Sequence, residues 1–288
     1  MSFSLNRDKY KDKDSNLLTL STCWYIVKSK FHIKTYLDWI QNFLSIVNKF
    51  NLVIYTDTES LKQFLHLIDF FNKKIKIIIH PLEEFNTYKY KDFWIKNHEK
   101  SNLNLHSHID WTLNMIWNEK VFFVNETIQK KYFDTLYYGW CDIGYFRNRP
   151  NDLHTDHLKD WPNNQKLING FFNENYIHYG CIQNNTPTYV QLQNDIKMHY
   201  LNKSKRQPTT QIEELSFAGG FFILKKDLIN TYVKLYDEKL MYYFMNNFTI
   251  KDDQTIIMDI IFTNPDLFNT YTEDNNLDNW FMFQRLLL

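Results

Sequence analysis

A mixed α/β fold, with a central and mostly parallel sheet covered by helices on both faces, is predicted by three observations. Apolar, β-branched runs alternate with amphipathic helical segments over the first eighty residues, the pattern of strands buried on both sides and joined by covering helices. The links between these segments are short. The chain of 288 residues is 44% hydrophobic and 18% aromatic, enough to bury a sizeable core as one large domain or two small ones.

In order along the chain, residues 1–16 are polar and charged and read as a mobile tail ahead of a single domain over 17–288. The run from Leu17 to Val27 reads as a buried strand containing Ser21, Thr22, Cys23, Trp24 and Tyr25. Tyr36, Leu37, Ile40, Phe43, Leu44 and Val47 recur at helical spacing. A second strand is predicted from Asn51 to Asp57, after which Thr58 is placed to cap a helix carrying Leu61, Phe64, Leu65 and Ile68. Ile75 to His80 reads as a third strand, stopped by Pro81. Parallel sheets of this kind bind ligands beyond the carboxyl ends of their strands. Thr22 to Tyr25 and Tyr55, Thr56 and Asp57 are therefore candidate ligand contacts.

From Lys89 to Lys120 the pattern is helical and aromatic, followed by the apolar run Val121 to Val124. Thr135 to Cys141 reads as a strand that delivers Asp142 at its end. The stretch from Asp152 to Arg206 is polar, with short strand-like pieces such as Asn175 to Ile182, and reads as a long binding segment. Ser216 to Lys225 is a strand interrupted by Gly219-Gly220. Helices are expected around Leu228, Tyr232, Leu235 and Tyr236, and again from Asp252-Asp253 with Ile256, Ile257, Ile260 and Ile261 facing inward.

Several function classes are disfavoured. With 33 basic and 33 acidic residues the net charge is zero, and no long-range field draws the chain to nucleic acid or an anionic membrane. Three widely spaced cysteines, Cys23, Cys141 and Cys181, give neither a disulfide framework nor a zinc ribbon. No apolar stretch of roughly 18 residues occurs, so no spanning helix is expected, and a cytoplasmic location is the default reading. All six glycines lie between positions 139 and 220, so neither a GxGxxG turn nor a P-loop can be written in an early strand-to-helix turn.

Three constellations carry chemistry. Asp142 follows a strand directly and precedes Gly144 by two residues. It can hold a divalent cation that neutralises a diphosphate, or simply make a turn with the backbone ahead of it. Arg147 nearby can clamp phosphate or pair with an acid. Gly219-Gly220 marks either a bulge or the close approach of another group such as a sugar ring, with Glu213 and Glu214 just upstream. Of Asp252 and Asp253, one is expected to cap a helix, which leaves the other to act as a base or position a sugar. The histidines His154 and His157, in a loop with Asp152, Asp156 and Asp160, match no known metal spacing and read as solvated loop residues.

The segments Met115-Ile116-Trp117-Asn118-Glu119-Lys120, Phe122-Phe123-Val124 and Trp140-Cys141-Asp142-Ile143-Gly144-Tyr145-Phe146-Arg147 resemble the HtrL/YibB (WlaTC-like) family. Thr19-Leu20-Ser21-Thr22, Val53 to Asp57, Phe217 to Phe222 and Asp253-Gln254-Thr255 are similar to further blocks of that family in the same order, so the resemblance spans residues 17 to 265. It implies a GT-A-like, Rossmann-type glycosyltransferase with a nucleotide-binding half at about 17–147 and an acceptor-side half at about 148–288. It also implies a nucleotide-diphosphate sugar donor, a glycan or glycoprotein acceptor, and a divalent metal (Mn2+ or Mg2+). Carried over by position, Thr22, Tyr25, Tyr55, Thr56 and Asp57 would contact the nucleotide and Lys120 and Arg147 the diphosphate. Asp142 would hold the metal, Gly219 and Gly220 the sugar, and Asp253 with Asp252 the reacting centre. The sequence departs from the family's DxD at Asp142-Ile143-Gly144, and no histidine follows His199. A second metal ligand is then to be sought at Asp252, Asp253 or Asp278. The rival reading is a glycan-binding module without catalysis, using its aromatic surplus for stacking.

Overall fold

The computed structural model describes residues 16–150, 152–168, 172–184, 186–208, 215–273 and 277–288. Residues 1–15 of the expected tail, and Glu213 and Glu214, lie outside them. The predicted βαβαβ start is present. Strand β1 (Leu18–Cys23) leads through α1 (Ile33–Ser45) to β2 (Asn51–Thr56), then through α2 (Thr58–Phe64) to β3 (Ile75–Ile79). Every residue of β1 and β2 is buried, which is why both read as uncharged apolar and β-branched runs and lack a polar alternation. The cap of α2 is Asp57, one residue before the expected Thr58: its carboxylate accepts the Ser60 N–H at 2.6 Å.

Two short helices, α3 (Lys91–Glu99) and α4 (Asn104–His108), precede the long α5 (Trp111–Gln129). The apolar run 121–124 belongs to α5, which is buried on nearly all sides from Leu113 to Val124. After β4 (Tyr137–Cys141), the stretch expected to be largely irregular contains α6 (Asn164–Ile168), β5 (Ile177–Asn184) and α7 (Thr186–Leu201). Strand β6 (Leu215–Lys225), α8 (Ile229–Met245), α9 (Asp253–Thr263), β7 (Phe268–Tyr271) and α10 (Phe283–Leu286) complete the chain.

Among the described residues, seven strands form one sheet in the order β3-β2-β1-β4-β6-β5-β7, with β6 alone running against its neighbours. Side chains alternate between two cores, as the strand period of two requires. Leu52 and Ile54 of β2 pack with Ile40, Phe43 and Phe64 on one face. Val53 and Tyr55 pack with α5, α8 and α9 on the other. From β1 the chain winds outward to β2 and β3, and from β4 it winds the opposite way. The switch between β1 and β4 opens a crevice at their carboxyl ends, where such sheets place ligands. Among the described residues no helix is long and apolar enough to cross a membrane.

Candidate active site

The crevice is a cleft of ≈ 390 Å³. Its floor is built on the backbone of β6 by three elements that each deliver one side chain. Asp142 follows β4, and its N–H donates to the Gly220 carbonyl of β6 at 2.8 Å, continuing the antiparallel ladder by one residue. Its Oδ1 accepts the Trp140 indole N–H at 2.6 Å, so the side chain is held against the sheet, while its backbone carbonyl accepts the Tyr145 N–H at 2.9 Å to close the turn. From α5, Lys120 points onto the same floor. Asp253, the first residue of α9, comes from above β6.

These groups form one cluster, with Lys120 and Asp253 buried and Asp142 partly open to the cleft. The Lys120 ammonium lies 3.0 Å from Asp142 Oδ1 and 2.8 Å from Asp253 Oδ2, and it donates to the Gly219 carbonyl at 2.9 Å. Lys120 and Asp253 are only 6% and 4% exposed, so neither charge would be tolerated there alone. Burial by itself disfavours the ammonium, but Asp142 and Asp253 more than reverse this and hold its pKa above the ordinary lysine value. For Asp253, burial raises the carboxyl above its usual range, Lys120 draws it back, and Asp252 and Asp142 push it up again.

The glycine pair has a structural explanation in this cluster. A Cβ on Gly219 would stand 2.3 Å from Asp253 Oδ2, and one on Gly220 would stand 3.3 Å from Asp142 Oδ2. The clearance expected to admit a sugar ring is taken by the two carboxylates. The β5–β6 register also shifts across this stretch, between the Tyr179 and Cys181 pairs, so the glycines mark a bulge and a close approach together. At Gly144 the space is filled by the Trp39 ring, 2.6 Å from where a Cβ would sit.

Above the floor the walls are aromatic and the rim is cationic. The Arg147 guanidinium stands 4.4 Å from the Trp39 ring centroid, 5.2 Å from Phe281 and 5.8 Å from Phe31. Its Nε donates to the Gly144 carbonyl at 2.6 Å, and among the described residues its terminal nitrogens have no hydrogen-bond partner. Burial, then Arg149, lowers its pKa, with Asp142 and Asp152 opposing, and it remains a cation. Arg149 is neutralised by Asp152 at 3.1 Å and Asp278 at 2.6 Å. Lys30 lies 5.1 Å from the Trp117 ring, and Tyr36 and Trp280 line the same cleft.

The structure thus brings together Asp142, Lys120, Asp252, Asp253, Gly219, Gly220, Arg147 and Tyr25 around one cleft. It places four other predicted contacts elsewhere. Thr22 is buried in β1. Tyr55 lies in the core, with its hydroxyl donating to the Phe123 carbonyl at 3.2 Å. The Thr56 hydroxyl donates to the Trp24 carbonyl at 2.8 Å. Asp57 is the cap of α2. Tyr25 lines the cleft with its ring while its hydroxyl donates to the His80 carbonyl at 2.8 Å. Asp252 occupies the N-cap position of α9 without a side-chain cap bond. The expected division of labour, one carboxylate capping the helix and one facing the cleft, is therefore replaced by two buried carboxylates at the cleft.

The aromatic wall of Phe31, Trp39, Trp117 and Phe281 and the cation Lys30 were not legible as a site, because they come from four separate segments without a shared motif. Lys120 does carry a local signal: Leu113, Ile116, Trp117 and Lys120 share a face of α5, and a lysine on an otherwise apolar helix face has to meet an opposite charge.

A divalent cation does not fit this arrangement. Such an ion needs several oxygen ligands at roughly 2.0–2.6 Å, and the Asp142 and Asp253 carboxylates that converge on the floor are already bridged by an ammonium. Among the described residues no three histidine, cysteine or acidic side chains group around a common point, and Asp278 pairs with Arg149. His154 and Asp156 are exposed, with the imidazole 3.1 Å from the carboxylate.

No protein-family model matches the chain, and no curated protein matches it. Among solved structures, the chain is similar over 88% of its length to 84% of mouse xyloside xylosyltransferase 1 in its apo form, with 16% identity and a TM-score of 0.44. Over 86% of its length it is similar to 66% of the mannosyltransferase Ktr4p from S. cerevisiae in complex with GDP, with 9% identity and a TM-score of 0.45. The likeness is one of fold.

Proposed function

We propose that this chain is a glycosyltransferase moving a hexose from a nucleotide-diphosphate sugar, a UDP sugar first among them, to a glycan or glycoprotein acceptor. The observation that carries the proposal is the convergence of Asp142, Asp253 and Lys120 on the floor of one cleft at the sheet's switch point, beneath an arginine held between aromatic rings. The sequence blocks that resemble the HtrL/YibB family agree with it.

In this reading the half from 17 to 147 supplies Lys120, Asp142 and Arg147, and the half from 148 to 288 supplies Asp252, Asp253, Gly219, Gly220 and Phe281. The base and sugar stack on the aromatic walls, and Arg147 meets the diphosphate with its terminal nitrogens. The acceptor oxygen attacks the anomeric carbon, the bond from that carbon to the diphosphate oxygen breaks, and the nucleoside diphosphate leaves with the electron pair. The acceptor proton passes to a carboxylate of the Asp252-Asp253 pair. Stabilising the departing negative charge with fixed cations in a partly dry cleft is the larger electrostatic contribution.

The test is to incubate purified protein with a panel of nucleotide sugars and oligosaccharide acceptors and to measure nucleoside diphosphate release. Asp253→Asn is expected to lower turnover by roughly 10²–10⁴-fold, the range for losing a positioned acid or base, while UDP still binds. Failure of every donor to react or bind would sink the reading. Binding of free oligosaccharide with no response to any nucleotide would instead favour the glycan-binding module, for which the surplus of aromatic side chains in the cleft is the supporting observation.

A further inference from the structure

We infer that the Lys120 ammonium is the resident cation of this cleft, standing where a divalent ion would otherwise bridge Asp142 and Asp253, so that donor binding is independent of metal; this rests on the glycosyl-transfer reading above. The ammonium has three protons, and three acceptors surround it: Asp142 Oδ1 at 3.0 Å, Asp253 Oδ2 at 2.8 Å and the Gly219 carbonyl at 2.9 Å. Its donor capacity is therefore used up inside the protein.

Each acceptor is fixed independently of the lysine. Asp142 is tied by its N–H to Gly220 and by the Trp140 indole. Asp253 begins a helix whose buried face includes Ile256, Ile257, Ile260 and Ile261. The Gly219 carbonyl belongs to β6. Lys120 itself stands midway along α5, between residues that are buried on either side. The socket is thus built by the sheet and two helices, and Gly219 is required for it, since any Cβ there would displace Asp253.

Electrostatics argue the same way. A divalent ion bound to Asp142 and Asp253 would lie within a few ångströms of the ammonium, and in a buried site that repulsion is far larger than in water. The sequence departure from DxD has the same consequence: with Ile143-Gly144 in place of a second acid, the strand end offers one carboxylate, and the lysine charge together with Arg147 covers the role. Arg147 then meets the diphosphate, and Lys120 holds the two carboxylates in a geometry that leaves them partly neutralised.

The test uses the protein, Mn2+, UDP and GDP. The electron paramagnetic resonance signal of free Mn2+ is expected to be unchanged on adding wild-type protein. UDP affinity by calorimetry is expected to differ less than about twofold between EDTA and added Mn2+, under 0.5 kcal/mol. Lys120→Met is expected to quench the Mn2+ signal through the freed carboxylates, and Lys120→Met with Asp142→Asn to restore it. If the lysine variant fails to fold, the two wild-type measurements decide alone. Stoichiometric loss of the Mn2+ signal with wild type, or UDP binding that EDTA abolishes and Mn2+ restores, overturns the inference and leaves glycosyl transfer standing. Absence of UDP and GDP binding under both conditions overturns the donor reading, while the Mn2+ signal still decides the nature of the cation.

Discussion

At the scale of single residues, the site depends on atoms that are missing as much as on those present. Gly219 and Gly220 differ by one position, yet their expected sensitivities differ, because a Cβ would meet Asp253 at 2.3 Å in one case and Asp142 at 3.3 Å in the other. Gly219→Ala is expected to cost roughly 1–3 kcal/mol, the range for forcing extra volume into a packed region, and to abolish nucleotide release by moving Asp253. Gly220→Ala requires a shift of only a few tenths of an ångström and is expected to be milder in both respects. Denaturant midpoints and turnover measured on the two variants check this, and equal effects would refute the role given to Gly219. The glycine pair was visible in the sequence, with both a bulge and a close approach open. What fills the clearance was not, because Asp253 lies 34 residues further along and the side chain that approaches is set by how α9 docks on β6.

At the scale of elements, the parallel half was legible and the polar half was not. Strands β1 and β2 are buried on both faces, so their sequences are runs of apolar and small or β-branched residues without a charge, bounded by clear helical periods. Helix α7 falls inside the stretch whose polarity reads as a binding segment, because its apolar stripe is narrow. Leu192, Ile196 and His199 recur at spacings of four and three as its buried positions, with Tyr189 and Tyr200 half-buried beside them among polar neighbours. The end of β2 shows a different failure. Asp57 follows the strand as a ligand contact would, but the residue after a strand is also the residue before a helix, and capping took precedence. Asp57→Ala is accordingly expected to cost about 1 kcal/mol of stability, the usual price of a lost N-cap, and to leave UDP affinity unchanged. Thermal unfolding and calorimetry on that variant separate the two roles, and weakened UDP binding would return Asp57 to the site.

At the scale of the whole molecule, the outer strands are joined through a neutral histidine. His178 of β5 donates from Nε2 to the Asn173 carbonyl at 3.0 Å, so its Nδ1 accepts from the Tyr271 hydroxyl of β7 at 2.9 Å. Burial lowers its pKa from 6.5 to about 4, with the Asn173 bond opposing. Protonation is therefore easier in the unfolded chain. The stability this contributes is complete above about pH 6.5 and is lost as pH falls through about 4, up to roughly 3 kcal/mol. Denaturant unfolding across that window should show the loss, and His178→Gln should flatten it, whereas an unchanged slope in the variant would assign the acid sensitivity to other groups.

The sequence by itself determined the layered α/β architecture, the crevice edge at the end of β4, and the identity of Asp142, Asp253 and the glycine pair as unusual positions. Those features are written in local periodicity and in residue types that only certain backbone positions tolerate. The tertiary structure alone decided that Asp142 and Asp253 meet, and that Lys120 lies between them. A buried charge is stable only with its partner in place, and partners 22 and 133 residues away from Lys120 come together only when the helices and the sheet have packed.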